Sequence, residues 1–190
     1  MACDLFDLKG RSALVTGGSK GLGKAIARGF VEAGARVMIC SRHEEELKSA
    51  QAEIAEGIEG AEVRIVVADM SKREDTDSLA AEALAAFGTV DILVNNAGVN
   101  TPQPIDVIDD EVWDRVIEIN VTAVMRLTRA LVPAMKAQRW GRVIHISSVL
   151  GVGSKPGRNA YSASKAALIG LAKASALDLG PHGITVNCIG

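Results

Sequence analysis

Tyr161 is the only tyrosine in the chain, and Lys165 follows it at i+4, which on a helix is the same face one turn on. A phenol is a poor base near neutral pH, with an ordinary pKa of about 10. An ammonium roughly 5 Å from a phenol, at an effective dielectric of about 20, favours the phenolate by about 3 kcal/mol, toward the range where general acid/base catalysis works. The run Arg142-Val-Ile-His-Ile-Ser147 predicts a buried strand, which puts Ser148 at a strand's carboxyl end, where open α/β sheets bind ligands. A hydroxyl there can donate to a substrate oxygen while Tyr161 handles the proton. Taken alone, the pair reads equally well as a tyrosine at a helix start with a solvated lysine. The other motifs decide between the two.

Gly17-Gly18-Ser19-Lys20-Gly21-Leu22-Gly23 follows a first apolar run, Arg11 to Thr16, and opens a helix expected over Lys24 to Ala33. Glycines at such a turn let backbone approach a pyrophosphate, and the helix's free N–H groups face the anion. The spacing is G-x-x-x-G-x-G, not the general G-x-G-x-x-G. At the end of the second strand, Arg36 to Cys40, stands Ser41-Arg42, where an acidic side chain would hold a ribose 2′-hydroxyl. A guanidinium matches a phosphate in bidentate geometry, and Lys20 can add a second positive charge. Both favour NADP over NAD, with NAD possible; the plain alternative is two solvated surface cations. Asp69, ending the third strand, can accept from an adenine amino group or cap the next turn. Asn95-Asn96-Ala97-Gly98 ends the fourth strand on the same edge, where amides can tie neighbouring loops together or touch the cofactor. Asn120 stands inside an apolar helix, where its amide needs a partner: either a local bond at a helix kink or a water near Lys165.

These residues need elements to position them. Strands are expected over Arg11–Thr16, Arg36–Cys40, Val63–Ala68, Asp91–Val94, Arg142–Ser147 and Ile184–Ile189. Helices are expected over Lys24–Ala33, Glu44–Glu56, Lys72–Phe87, about Glu111–Gln138, and Tyr161 to about Leu179. Strands alternating with helices specify an α/β fold with a parallel sheet and right-handed crossovers. The length of 190 residues suits one domain, with no internal boundary or repeat. Net charge of -2 gives no sign of nucleic-acid binding. No apolar run approaches a membrane span, and the opening residues lack the regions of a signal peptide. Cys3, Cys40 and Cys188 show no disulfide or metal spacing, which fits a reducing, cytoplasmic location. His43, His145 and His182 are scattered and read as structural or exposed, so no metal is expected.

Together, Thr16-Gly-Gly-Ser-Lys-Gly-Leu-Gly23, Asp69, Asn95-Asn-Ala-Gly98, Asn120, Ser148 and Tyr161-Ser-Ala-Ser-Lys165 resemble the short-chain dehydrogenase/reductase family, from about Leu8 onward. The resemblance implies a Rossmann-type, doubly wound parallel sheet of order 3-2-1-4-5-6. It implies that Tyr161 exchanges the proton with the substrate oxygen and that Lys165 holds the nicotinamide ribose. Ser148 would polarise the carbonyl and Asn120 keep a water in the proton relay. The implied cofactor-binding set is Gly17, Ser19, Lys20, Gly21, Leu22, Gly23, Ser41, Arg42, Asp69, Met70, Asn96, Ala97 and Gly98, with Tyr161 and Lys165. Complete members continue past a strand like Ile184–Ile189 with a Pro-Gly turn, a substrate lid and a last strand. The present sequence is therefore expected to bind the cofactor's adenosine half better than it turns over. Two long helices, Glu111–Gln138 and Tyr161–Leu179, look like the family's dimer-forming pair, and a homotetramer is expected. The Leu5-Phe6-Asp7-Leu8-Lys9-Gly10 opening and Ser41-Arg42 look like both gluconate 5-dehydrogenases and 3-oxoacyl-[acyl-carrier-protein] reductases. The expected activity is hydride transfer between a carbonyl and an alcohol with NADP(H). The alternative is a cofactor-sensing protein without chemistry, and such proteins tend to lose the tyrosine or the lysine.

Overall fold

The computed structural model describes residues 6–190; Cys3 and Leu5 lie outside them. Six parallel strands form one sheet in the order β3-β2-β1-β4-β5-β6, as expected. They are β1 (Ser12–Thr16), β2 (Arg36–Ser41), β3 (Val63–Val67), β4 (Ile92–Asn95), β5 (Gly141–Ile146) and β6 (Ile184–Ile189). The central strands carry near-continuous apolar runs because both faces of a parallel sheet are covered; every residue of β1 is buried. Its side chains alternate between faces. Ala13 and Val15 pack with α1 (Gly21–Glu32) and α2 (Glu44–Ala55) through Ala27, Val31, Leu47 and Ile54. Leu14 faces α3 (Arg73–Phe87) and a longer helix, through Leu79, Leu127 and Met135.

The chain order reverses between β1 and β4: β1 pairs in parallel with β2 on one side and with β4 on the other. The carboxyl ends of the strands splay at this switch point, where a crevice forms. The edge therefore gathers the residues that follow Thr16, Ser41, Val67, Asn95 and Ile146.

Two expected elements differ. α1 begins at Gly21 instead of Lys24, because the glycine turn itself supplies the first helical amides. The long helix expected over Glu111–Gln138 is interrupted. α4 (Asp110–Ile117) is capped by Asp109, whose side chain accepts from the N–H groups of Glu111 and Val112. One turn of π-helix follows over Glu118–Thr122, and α5 runs from Ala123 to Gln138. Such a bulge often marks a functional site, and it carries Asn120. α6 (Asn159–Leu179) begins two residues before the tyrosine. Among the described residues no helix is long and apolar enough to cross a membrane.

Candidate active site

The glycine loop is shaped by backbone crowding. A Cβ on Gly23 would lie 2.3 Å from the Gly17 carbonyl oxygen and 2.5 Å from Asn96 Nδ2, so no side chain fits at this helix–strand approach. Gly17 itself has φ +65°, which favours glycine. Thr16 Oγ1 accepts from the N–H groups of Asn96 and Ala97 at 3.0 and 2.9 Å. Asn96 Nδ2 donates to the carbonyls of Thr16 and Gly17 at 2.9 and 3.2 Å. Asn96 therefore sits behind the loop and fastens the β4 turn to it.

In front of the loop is a cavity of about 390 Å³. The structure brings Gly17, Ser19, Lys20, Ser41, Arg42, Asp69, Met70, Ala97 and Gly98 to its walls, all from the sequence-derived set. Gly21, Leu22, Gly23 and Asn96 do not line it; Leu22 is exposed. The cavity also takes Cys40, His43 and Glu46, which sequence reasoning passed over. Burial drives the Cys40 thiol up to about 12, so it acts as a small apolar wall.

Ser41 Oγ is buried and has no hydrogen-bond partner among the described residues. Arg42 is exposed and makes no ion pair among them. An orphaned hydroxyl beside an unpaired guanidinium is a donor set short of an acceptor, and it fits a phosphate. Asp69 uses Oδ1 to accept from the Ser71 N–H and hydroxyl at 2.9 and 2.8 Å, so the capping reading holds for that oxygen. Burial pushes its carboxyl up, but the Ser71 bonds and the charges of Arg42 and Arg115 outweigh this and hold it below the ordinary carboxylate value.

The second wing stands at the end of β5. Lys165 is 4% exposed and its Nζ donates to the Ile146 carbonyl at 2.6 Å. Ser147 Oγ donates to the Lys165 carbonyl at 2.9 Å. These two bonds staple the strand end to the first turns of α6, bringing Ser148 and Tyr161 to the same edge. Lys165 Nζ is 5.5 Å from the Tyr161 ring centroid, the one-turn spacing that i+4 predicts. Burial pushes the Lys165 ammonium below its usual value. Ser148 Oγ accepts from the Leu150 N–H at 3.1 Å, which leaves its own proton to donate. Tyr161 and Ser148 are both half-buried, and Ser148 lines a second cavity of about 530 Å³ with Val149, Ile169 and Cys188.

Asn120, offered by the sequence as a bonded kink residue or a water holder, bonds through its side chain to two neighbouring segments. Its Nδ2 donates to the Val99 carbonyl and Ser164 Oγ at 2.9 and 3.0 Å, and its Oδ1 accepts from the Val99 N–H at 2.8 Å. Both side-chain donor positions are spent on fastening the β4 loop to α6. Gly98 joins the wings: a Cβ there would lie 3.3 Å from Asn120 Oδ1 and 3.6 Å from Lys165 Nζ. Among the described residues no three His, Cys, Asp or Glu side chains cluster as for a metal ion.

A family profile described as short chain dehydrogenase matches residues 11–190. Nodulation protein G of Rhizobium sp. (strain N33) is 43% identical over 185 residues, 97% of this chain and 74% of that protein. The 3-oxoacyl-[acyl-carrier-protein] reductase of Chlamydia muridarum (strain MoPn / Nigg) is 36% identical over 182 residues, 96% of this chain and 73% of that protein. A solved metagenomic short-chain oxidoreductase in complex with NADP superposes with a TM-score of 0.91 at 38% identity, covering 95% of this chain and 81% of that one.

Proposed function

The chain belongs to the short-chain dehydrogenase family, an oxidoreductase acting between alcohol and carbonyl groups with NAD(P), and from that premise we propose that its cofactor is NADP(H). We further infer that its substrate class is that of 3-oxoacyl thioester reductases or gluconate 5-dehydrogenases. The observation that carries the cofactor reading is the Ser41–Arg42 pair, a buried hydroxyl and a guanidinium that both lack acceptors. The NADP complex of the similar metagenomic oxidoreductase supports it. The similar Chlamydia muridarum reductase supports the thioester arm of the substrate reading.

When bound, the nicotinamide accepts or supplies the hydride. The chain's residues do the rest. Gly17, Ser19 and the first amides of α1 receive the pyrophosphate, while Ser41, Arg42 and Lys20 hold the 2′-phosphate. Ser148 donates to the substrate oxygen and Tyr161 gives or takes the proton there. Lys165, anchored on the Ile146 carbonyl, places its positive charge one turn from the phenol. Asn120 positions Val99 and Ser164 and, with Lys165, borders Gly98.

Tyr161→Phe tests the function. Turnover of a carbonyl substrate is expected to fall by about 10²–10⁴-fold, with NADPH affinity retained; retained turnover overturns the assignment. We also propose a homotetramer. A groove between α5 and α6 is lined by Met125, Val132 and Leu171, and Leu177 nearby is 81% exposed. A monomeric mass by light scattering would count against it.

A further inference from the structure

The wall of the phosphate end of the cavity is not uniformly basic. Lys20 Nζ, from the glycine loop, pairs with Glu46 Oε1 at 2.8 Å. Glu46 stands in the first turn of α2, directly after β2, and lines the same cavity as Ser41, Arg42 and His43. The neighbouring acids Glu44 and Glu45 are engaged elsewhere, both on Lys48. Glu46 is therefore the acid of that turn which faces the glycine loop, and it occupies the cation that a 2′-phosphate would need.

We propose that Glu46 is a specificity-determining residue: an internal counter-ion that holds Lys20 across the mouth of the cavity and opposes the 2′-phosphate. This rests on the NADP(H) reading of the same site. Two features of the geometry support it. Arg42 has no ion-pair partner among the described residues, so Lys20 is the cation whose availability is contested. Lys20 is also the exposed member of the pair, at 72% against 34% for Glu46, so it is the side chain free to swing to a ligand. The Lys20 hydrogen bond holds the Glu46 carboxyl below the ordinary carboxylate range, aided by the charges of His43 and Arg42, so it is a full negative charge at neutral pH. A phosphate entering must displace that carboxylate from Lys20 and tolerate it nearby. A ribose 2′-hydroxyl carries no charge and meets no such opposition. Glu46 thus narrows the preference that Ser41 and Arg42 create.

Calorimetric titration of the chain with 2′,5′-ADP and with 5′-AMP isolates this from catalysis. In Glu46→Gln the affinity for 2′,5′-ADP is expected to rise about three- to tenfold, about one tenfold step at most, with 5′-AMP affinity held within about twofold. An unchanged or weakened 2′,5′-ADP affinity, or an equal gain for both nucleotides, overturns the role of Glu46. The wild-type ratio reads the cofactor assignment separately. If 2′,5′-ADP binds the wild type no better than 5′-AMP but gains selectively in Glu46→Gln, the NADP(H) preference falls while the counter-ion role stands.

Discussion

At the carboxyl end of β1 the glycine loop is shaped by close backbone approach, the Gly17 carbonyl against Gly23, and is fastened from behind by Asn96, whose side chain bonds to the carbonyls of Thr16 and Gly17. At the carboxyl end of β5 the shaping is done by two side chains, Ser147 and Lys165, each reaching from one element to the backbone of the other. The first arrangement requires glycine at the close approach and one amide side chain behind it. The second depends on particular side chains at separated positions. The difference suits the division of work proposed for the two ends. A pyrophosphate needs a fixed cradle of amides, whereas proton transfer needs a phenol, a hydroxyl and an ammonium held in mutual register.

The comparison can be broken at its largest effect by Tyr161→Phe, which removes chemistry from one end and leaves binding at the other. The seam between the ends is the next target. Asn95 on β4 lies opposite His145 on β5, with Asn95 Nδ2 3.1 Å from His145 Nδ1. His145 is fully buried, and its Nε2 has no partner among the described residues. Burial drives its pKa down from 6.5 to about 4. The unfolded chain therefore binds more protons than the folded chain between these values, so stability is intact above about pH 6.5 and declines as pH falls toward about 4. The full loss is about 3 kcal/mol. Urea unfolding at stepped pH is expected to show this decline, and His145→Gln is expected to flatten it between about pH 6.5 and 5. A decline that is unchanged in the variant would remove His145 from the account.

A smaller effect falls on the cofactor end. In Gly23→Ala the added methyl meets the Gly17 carbonyl, and the loop must shift. A loss of about 1–3 kcal/mol in urea unfolding is expected, together with weaker NADPH binding. Unaltered binding in a folded variant would show that the cradle is more pliable than its contacts suggest.

The same contrast decides what could be read in the sequence. The strand–helix alternation and most of the cavity wall were legible, because glycine spacing, strand ends and helix starts are local features; the sheet order came only with the family resemblance. Tyr161 and Lys165 were legible because i+4 fixes their relation. For Asn120 the sequence offered a local bond at a helix kink or a water near Lys165; the amide is bonded at a π turn, and its partners Val99 and Ser164 come from other elements, which local pattern does not carry. The Asn96 amide ties the β4 turn to the glycine loop, one of the two roles the sequence offered for amides at that strand end, though its partners lie 80 and 79 positions away. Glu46 went unnoticed because an acid in a helix's first turn is ordinary, and only the fold brings it to Lys20.

A parallel fluorescence titration with NADPH and NADH tests the central claim most directly, that the β1–β3 end is a prebuilt site for a 2′-phosphorylated dinucleotide. Saturable binding with NADPH at least tenfold tighter, about 1.4 kcal/mol, is the predicted result. Equal or tighter binding of NADH, or no binding of either, would contradict it.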